Sequence, residues 1–140
     1  MVLRIVLSAL AGGIVIFIMA GFAFGFLFAD YFAGSLPSEF AGINRETPNF
    51  VLIIISDFLY SGMLAYVFAV LARIRTFRRG AVTGMIIGFA VSLHLDLISA
   101  ATTHLTTPPS IAANVAISTL MSGMGGGVVA TVLGRLDRGR

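Results

Sequence analysis

The sequence predicts an all-α membrane protein, folded as one bundle of four transmembrane helices, and three observations support this class. Of the 140 residues, 58% are hydrophobic and only 11% are charged, whereas a soluble domain carries about 25% charged residues. The mean hydropathy is +1.02. The apolar residues form four segments, each about as long as the 20 residues that cross the hydrocarbon core. These segments cover about 3–28, 50–71, 81–101 and 111–133.

Each segment is expected to be helical, because a backbone in lipid has no water to bond and must satisfy its own amides. The first has a longer apolar run than a signal peptide core, so we expect an uncleaved helix. The stretch SLPSEFAG (35–42) in the next loop predicts one short helical turn. The second segment follows Pro48, and the fourth follows Pro108-Pro109 with Ser110 as the expected N-cap.

The arginines indicate how the helices are oriented. Arg4 lies at the start of the first segment, the loop 72–80 between the second and third segments holds four arginines, and three more end the chain. The loop 30–49 holds three acidic residues and one arginine. The positive-inside rule therefore predicts that both termini and the loop 72–80 are cytoplasmic. Because the arginines cluster at helix ends, the sequence pI of 10.2 does not indicate nucleic-acid binding.

Small residues recur at every fourth position in all four segments. Helices in lipid associate through close packing, which small residues permit. We therefore expect these stripes to pack the helices against each other, with the alternative that one stripe is left for a partner chain. The positions expected to pack in the third and fourth segments are Gly80, Gly84, Gly88, Ser118, Ser122 and Gly126.

Two acidic residues lie within the apolar segments. At about 1.5 Å per helical residue, Asp57 lies about 10 Å and Asp96 about 8 Å below the outer surface. A charge at the bilayer centre costs about 2.5–3.5 kcal/mol, so both side chains should face the bundle interior, pair with each other or stay protonated. They predict either a proton or cation site that opens outward, or a buried polar cluster that fixes helix register. The expected hydrogen-bonding partners are Asn114, Ser61, Ser92, Ser99 and Tyr60.

His94 lies two residues from Asp96 and therefore points about 200° away around the same helix. Three interpretations remain: a hydrogen bond within the bundle, a contact with a partner subunit, or ligation of a haem or chlorophyll-type pigment. Apart from that possibility no cofactor is expected. A metal site is not predicted either, because catalytic zinc needs three converging ligands and the chain has no cysteine.

No catalytic motif is present in the sequence. It has no Gly-x-Ser-x-Gly elbow for a serine nucleophile. The glycine-rich stretch 123–127 lacks the lysine and the preceding strand of a phosphate-binding loop. We therefore expect that the protein is not an enzyme.

Several stretches resemble a family of small, uncharacterised four-helix membrane proteins of bacteria. They are GGIVIF, FLFADYFAG, PNF, SDFLYSGMLAYVF, RGAVTGMIIG and AISTLMSGMGGGV. The resemblance implies a four-helix fold in the bacterial cytoplasmic (inner) membrane, and it assigns no catalytic role to any residue of this sequence.

Three functional hypotheses follow. The first is a non-catalytic small membrane protein, either a homo-oligomer or an accessory subunit of a membrane complex, since the short loops leave no soluble domain. The second is a proton- or cation-coupled carrier or channel that uses Asp57 and Asp96. The third is a pigment or haem subunit that uses His94. In each case the lipid bilayer is a partner, and nucleic acid is not.

Overall fold

The computed structural model describes residues 1–35 and 47–138, and within them every regular element is a helix. Four helical spans are long and apolar enough to cross a membrane, so the predicted all-α class is confirmed. The helical turn expected over 35–42 lies almost entirely outside the described residues. The helices are α1 (Val2–Phe22), α2 (Ala29–Gly34), α3 (Phe50–Tyr66), α4 (Phe77–Thr102) and α5 (Pro108–Arg138).

Two of the spans end in a π-helical turn, which the sequence did not predict. Ala23–Leu27 extends α1, and Val67–Leu71 extends α3. The last two helices are longer than their apolar segments, because α4 already begins at Phe77 and α5 continues to Arg138. An apolar segment marks the part of a helix that lies in lipid, whereas the hydrogen-bonded helix continues into the interface.

Thr107, and not Ser110, is the N-cap of α5. The Thr107 side chain accepts a hydrogen bond from the Ser110 amide at 3.4 Å, and Ser110 Oγ accepts one from the Thr107 amide at 2.9 Å. This reciprocal pair is a capping box with serine at its third helical position. The prediction that Ser110 is the N-cap is wrong. Proline suits the first position of a helix, where an N–H would have no partner within the helix, so α5 begins at Pro108 and the preceding residue, Thr107, caps it.

Helix α5 holds the bundle together, because it packs against α1, α3 and α4. Helix α1 also packs against α3, whereas the extensive contacts of α4 are with α5. The buried apolar core lies between α3 and α5, towards the arginine-rich end. It consists of Leu64, Ala65, Phe68, Val129, Ala130 and Leu133.

The glycine stripe of α4 packs directly on α5. A Cβ atom added at Gly80 would collide with the Gly126 carbonyl oxygen, and one at Gly84 would collide with the carbonyl of Ser122. At Gly88 the collision would be with the Ser122 side chain. This stripe therefore forms a contact within the chain and is not left for a partner.

Three charged side chains hold the arginine-rich end together. The Asp137 carboxylate in α5 forms ion pairs with Arg4 in α1 and with Arg75, which follows the π-helical turn after α3. Arg75 also donates hydrogen bonds to the Phe68 carbonyl at 2.6 Å and to the Ala69 carbonyl at 3.2 Å. The start of α1, the α3–α4 connection and the end of α5 therefore lie at the same end of the bundle, and we call the opposite end the outer end.

Candidate functional site

A polar cavity of about 320 Å³ lies at the centre of the bundle, where α3 and α4 do not pack side by side. Residues from all four spans line it. Ser56 and Leu95, which belong to α3 and α4, are exposed, so the cavity opens between these two helices. The lining residues are Ile16, Ser56, Asp57, Tyr60, Gly88, Val91, Ser92, Leu95, Asp96, Asn114, Ser118, Met121 and Ser122.

The two predicted carboxyl groups both line this central cavity, but their surroundings differ. Asp96 Oδ2 accepts a hydrogen bond from Asn114 Nδ2 at 2.8 Å. Asp57 Oδ2 is buried and has no hydrogen-bond partner in the described part of the chain. One carboxylate is therefore held by an amide from α5, while a buried oxygen of the other has no partner among the described residues.

Hydroxyl groups complete the polar wall. The Tyr60 hydroxyl donates to Ser122 Oγ at 3.0 Å and so joins α3 to α5 across the cavity. Ser92 Oγ donates to the Gly88 carbonyl of its own helix at 2.7 Å. Ser118 was expected to act only in packing, and it also lines the cavity.

Ser61 and Ser99 do not belong to the site. Ser61 Oγ donates to the Ala9 carbonyl at 2.8 Å, where α1 and α3 approach closely beside Gly12. Ser99 lies near the end of α4, where its carbonyl accepts a hydrogen bond from the Thr103 hydroxyl. The expectation that these two serines serve the carboxyl groups is wrong, because Ser61 Oγ is bonded to the backbone of α1 and Ser99 Oγ contacts the Thr103 hydroxyl at 3.4 Å.

A second cavity, of about 250 Å³, lies at the outer end beneath the loop that joins α4 to α5. Its wall contains Thr106, whose Oγ1 is buried and has no hydrogen-bond partner among the described residues. Asp96 and Asn114 line this outer cavity as well as the central one, so their hydrogen-bonded pair stands between the two. Within the described part of the chain, the lining residues are Phe24, Phe32, Ser35, Asp96, Leu105, Thr106, Ser110, Ile111 and Asn114.

His94 lines neither polar cavity and is exposed on α4. It lies about 200° around the helix from Ser92, which belongs to the face that packs on α5. The interpretation of His94 as a hydrogen-bonded residue of the bundle interior is therefore wrong. The interpretations as a partner contact and as a pigment ligand stay predictions.

The oxygen atoms around the two cavities give the site its chemistry. Two carboxyl groups, one amide and several hydroxyls can accept a proton or bind a hard cation, for which oxygen is the preferred ligand. Among residues 1–35 and 47–138, no three His, Asp or Glu side chains group closely enough to hold a metal ion by themselves. Comparisons with protein-family models, curated proteins and solved structures find no match to this chain.

Sequence reasoning missed Thr106. The residue stands in a polar loop, TTPPS, where threonine is common and carries no special signal. Its importance depends on burial under the outer end of the bundle, which only the folded chain reveals. The two aspartates gave a clear signal because acidic residues are rare at such a depth.

Proposed function

We propose that this protein is a carrier or channel that moves a proton or a small cation through the Asp57–Asp96 cavity. The observation that supports the proposal best is the carboxyl group of Asp57, which lines a central polar cavity with a buried oxygen that no described protein group bonds. Asp96 lines the same cavity from another helix. Two carboxyl groups that line one cavity are a suitable site for a positive charge.

The energetic cost of this arrangement supports a functional role. A buried polar atom without a partner costs about 1–3 kcal/mol. A purely structural site would recover this energy through a hydrogen bond, as Asp96 does with Asn114. Groups that remain unsatisfied are typical of functional sites, where stability is given up for binding.

The proposed setting is the bacterial cytoplasmic membrane, with both termini in the cytoplasm. The arginines at one end of the bundle support this orientation, and both polar cavities then belong to the outer half. Because the chain has no cysteine, a single cysteine introduced at Thr103 or at Ala72 can show on which side of the membrane that loop lies. A membrane-impermeant maleimide should label Thr103→Cys in intact cells and Ala72→Cys only after permeabilisation, and the reverse pattern would refute the orientation.

The flux of protons or alkali cations into liposomes tests the transport proposal. We expect Asp57→Asn and Asp96→Asn each to reduce the flux at least about tenfold, since the positive charge loses its counter-charge in a low dielectric. Asp30→Asn is the matched control, because Asp30 is an exposed aspartate that lines neither cavity. Wild-type flux in both cavity variants would refute the proposal.

A second candidate function is that of a non-catalytic subunit, in a homo-oligomer or in a larger membrane complex. The exposure of His94 on a spanning helix favours it, since polar side chains within a membrane usually face protein and not lipid. Cross-linking in native membranes from a cysteine at His94 should then give one defined product. If only monomer appears, in the native membrane and in detergent, this candidate is excluded.

The pigment hypothesis uses the same histidine and has a separate test. Neutral imidazole is a common metal ligand, and an exposed His94 is accessible to a haem or pigment held between subunits. Protein purified from its native membrane would absorb visible light, and His94→Ala would remove the band. Colourless protein from that source would refute the hypothesis.

A further inference from the structure

We infer that the outer cavity is a second cation site, built for a monovalent alkali ion such as Na⁺ and distinct from the central cavity. Its donors are the Asp96 carboxylate, the Asn114 side-chain carbonyl and the Thr106 hydroxyl. Its role in transport rests on the proposed function, whereas binding itself needs only these three side chains, of which Asp96 and Asn114 line both cavities.

The hydrogen bonding of the three side chains leaves oxygen atoms free for a cation. Asn114 uses its Nδ2 to donate to Asp96 Oδ2, so the amide oxygen is not consumed by that bond. Thr106 Oγ1 is buried in the cavity wall with no partner among the described residues. Elsewhere in the same loop, hydroxyls are used: those of Thr107 and Ser110 cap α5, and that of Thr103 bonds the Ser99 carbonyl.

The donor set selects the class of cation. Carboxylate, amide and hydroxyl oxygens are hard ligands, which suit alkali and alkaline-earth ions better than zinc or copper. Calcium sites typically contain several carboxylates, while Asp96 is the only acidic residue among the described residues that line the outer cavity. One negative charge balances one positive charge, so a monovalent ion fits this site best.

The size and position of the cavity agree with a partly hydrated ion. A volume of about 250 Å³ holds about eight waters at about 30 Å³ each. The α4–α5 loop forms its wall at the outer end of the bundle, so an ion can arrive from the aqueous side. The shared Asp96 then places this ion next to the central cavity.

Calorimetric titration of the detergent-solubilised protein with NaCl, at constant ionic strength in choline chloride, tests the outer site. We expect saturable Na⁺ binding that Thr106→Val weakens about tenfold and Asp96→Asn abolishes, because each change removes a ligand oxygen. Thr106→Ser, which keeps the hydroxyl, should stay within about threefold of wild type. Thr102→Val is the matched control, since Thr102 is exposed and bonds its own helix.

Asp57→Asn separates the two sites, because Asp57 lines the central cavity and not the outer one. We expect it to leave Na⁺ binding unchanged while it reduces flux. If Asp57→Asn abolishes Na⁺ binding as completely as Asp96→Asn, the ion binds centrally, and the outer site is refuted while the proposed function survives. Wild-type affinity in Thr106→Val, or the absence of saturable Na⁺ binding, would also refute the outer site.

Discussion

Asp57 and Asp96 show how one residue type acquires two roles through its neighbours. Asp96 has an amide partner at 2.8 Å, which fixes the direction of its carboxyl group between the two polar cavities. Asp57 has a buried oxygen with no such partner. The two carboxyl groups of one cavity therefore differ in how firmly the protein holds them.

The free carboxyl group of Asp57 should lower the stability of the protein. We expect Asp57→Asn to raise the free energy of unfolding by about 1 kcal/mol, because the neutral amide costs less to bury than a carboxylate. Thermal unfolding of the detergent-solubilised protein measures this change, with Asp30→Asn as the exposed control that should not move the midpoint. A lower midpoint for Asp57→Asn would mean that the carboxyl group has a stabilising partner.

The sequence predicted part of the site at this scale. Acidic residues at membrane depth are rare, so Asp57 and Asp96 were identified from composition and helical rise alone, and both line the central cavity. Their different hydrogen bonds were not predictable, since Asn114 comes from a third helix whose rotation depends on the whole bundle. The rotation per helical residue correctly placed His94 on a different face of α4 from Asp96. The exposure of that face was not predictable, because it depends on which helices pack against α4.

At the scale of the helices, the glycines of α4 determine how closely it approaches α5. The carbonyl oxygens of Ser122 and Gly126 occupy the positions where side chains of residues 84 and 80 would otherwise lie. Within lipid, such close contact is a main source of helix association. The same contact leaves α4 free of α3, and the central cavity lies in that gap.

Gly84→Ala should therefore separate α4 from α5. Its methyl group would collide with a backbone oxygen that cannot rotate away, and overpacking of this kind costs about 1–3 kcal/mol. Gly62→Ala is the matched control, because a Cβ atom at Gly62 has no neighbour within 4 Å, and it should stabilise α3 by about 0.5–1 kcal/mol. Unfolding midpoints that fall for Gly84→Ala and rise for Gly62→Ala support this packing, whereas equal midpoints would contradict it.

The existence of four spanning helices followed from apolar length, but their pairing did not. Every segment carries small residues at a spacing of four, so the pattern fits several helix pairs equally well. The structure selects α4 with α5 through a steric fit of glycine against backbone carbonyls. The π-helical turns after α1 and α3 also escaped prediction, because apolar residues accept α- and π-helical backbone alike.

The whole molecule separates the apolar core from the two carboxyl groups along the bundle axis. At the arginine-rich end, Phe68, Leu64 and Leu133 are almost fully buried, and the Asp137 ion pairs join three segments. The central cavity lies beyond this core, and the outer cavity lies at the opposite end of the bundle. Asp57 and Asp96 therefore lie beyond the apolar core, as seen from the arginine-rich end.

This division predicts a difference in the chemical reactivity of introduced cysteines. Ser118→Cys lines the central cavity, and Ala130→Cys lies in the apolar core, where Ala130 is fully buried. We expect a cationic methanethiosulfonate added from outside to modify Ser118→Cys at least about tenfold faster than an anionic one, because the two carboxyl groups attract positive charge. Adding Asp57→Asn should reduce this preference, and Ala130→Cys should not react. Equal rates for the two reagents at Ser118→Cys would show that the cavity carries no negative potential. Modification of Ala130→Cys would show that water reaches the apolar core between α3 and α5.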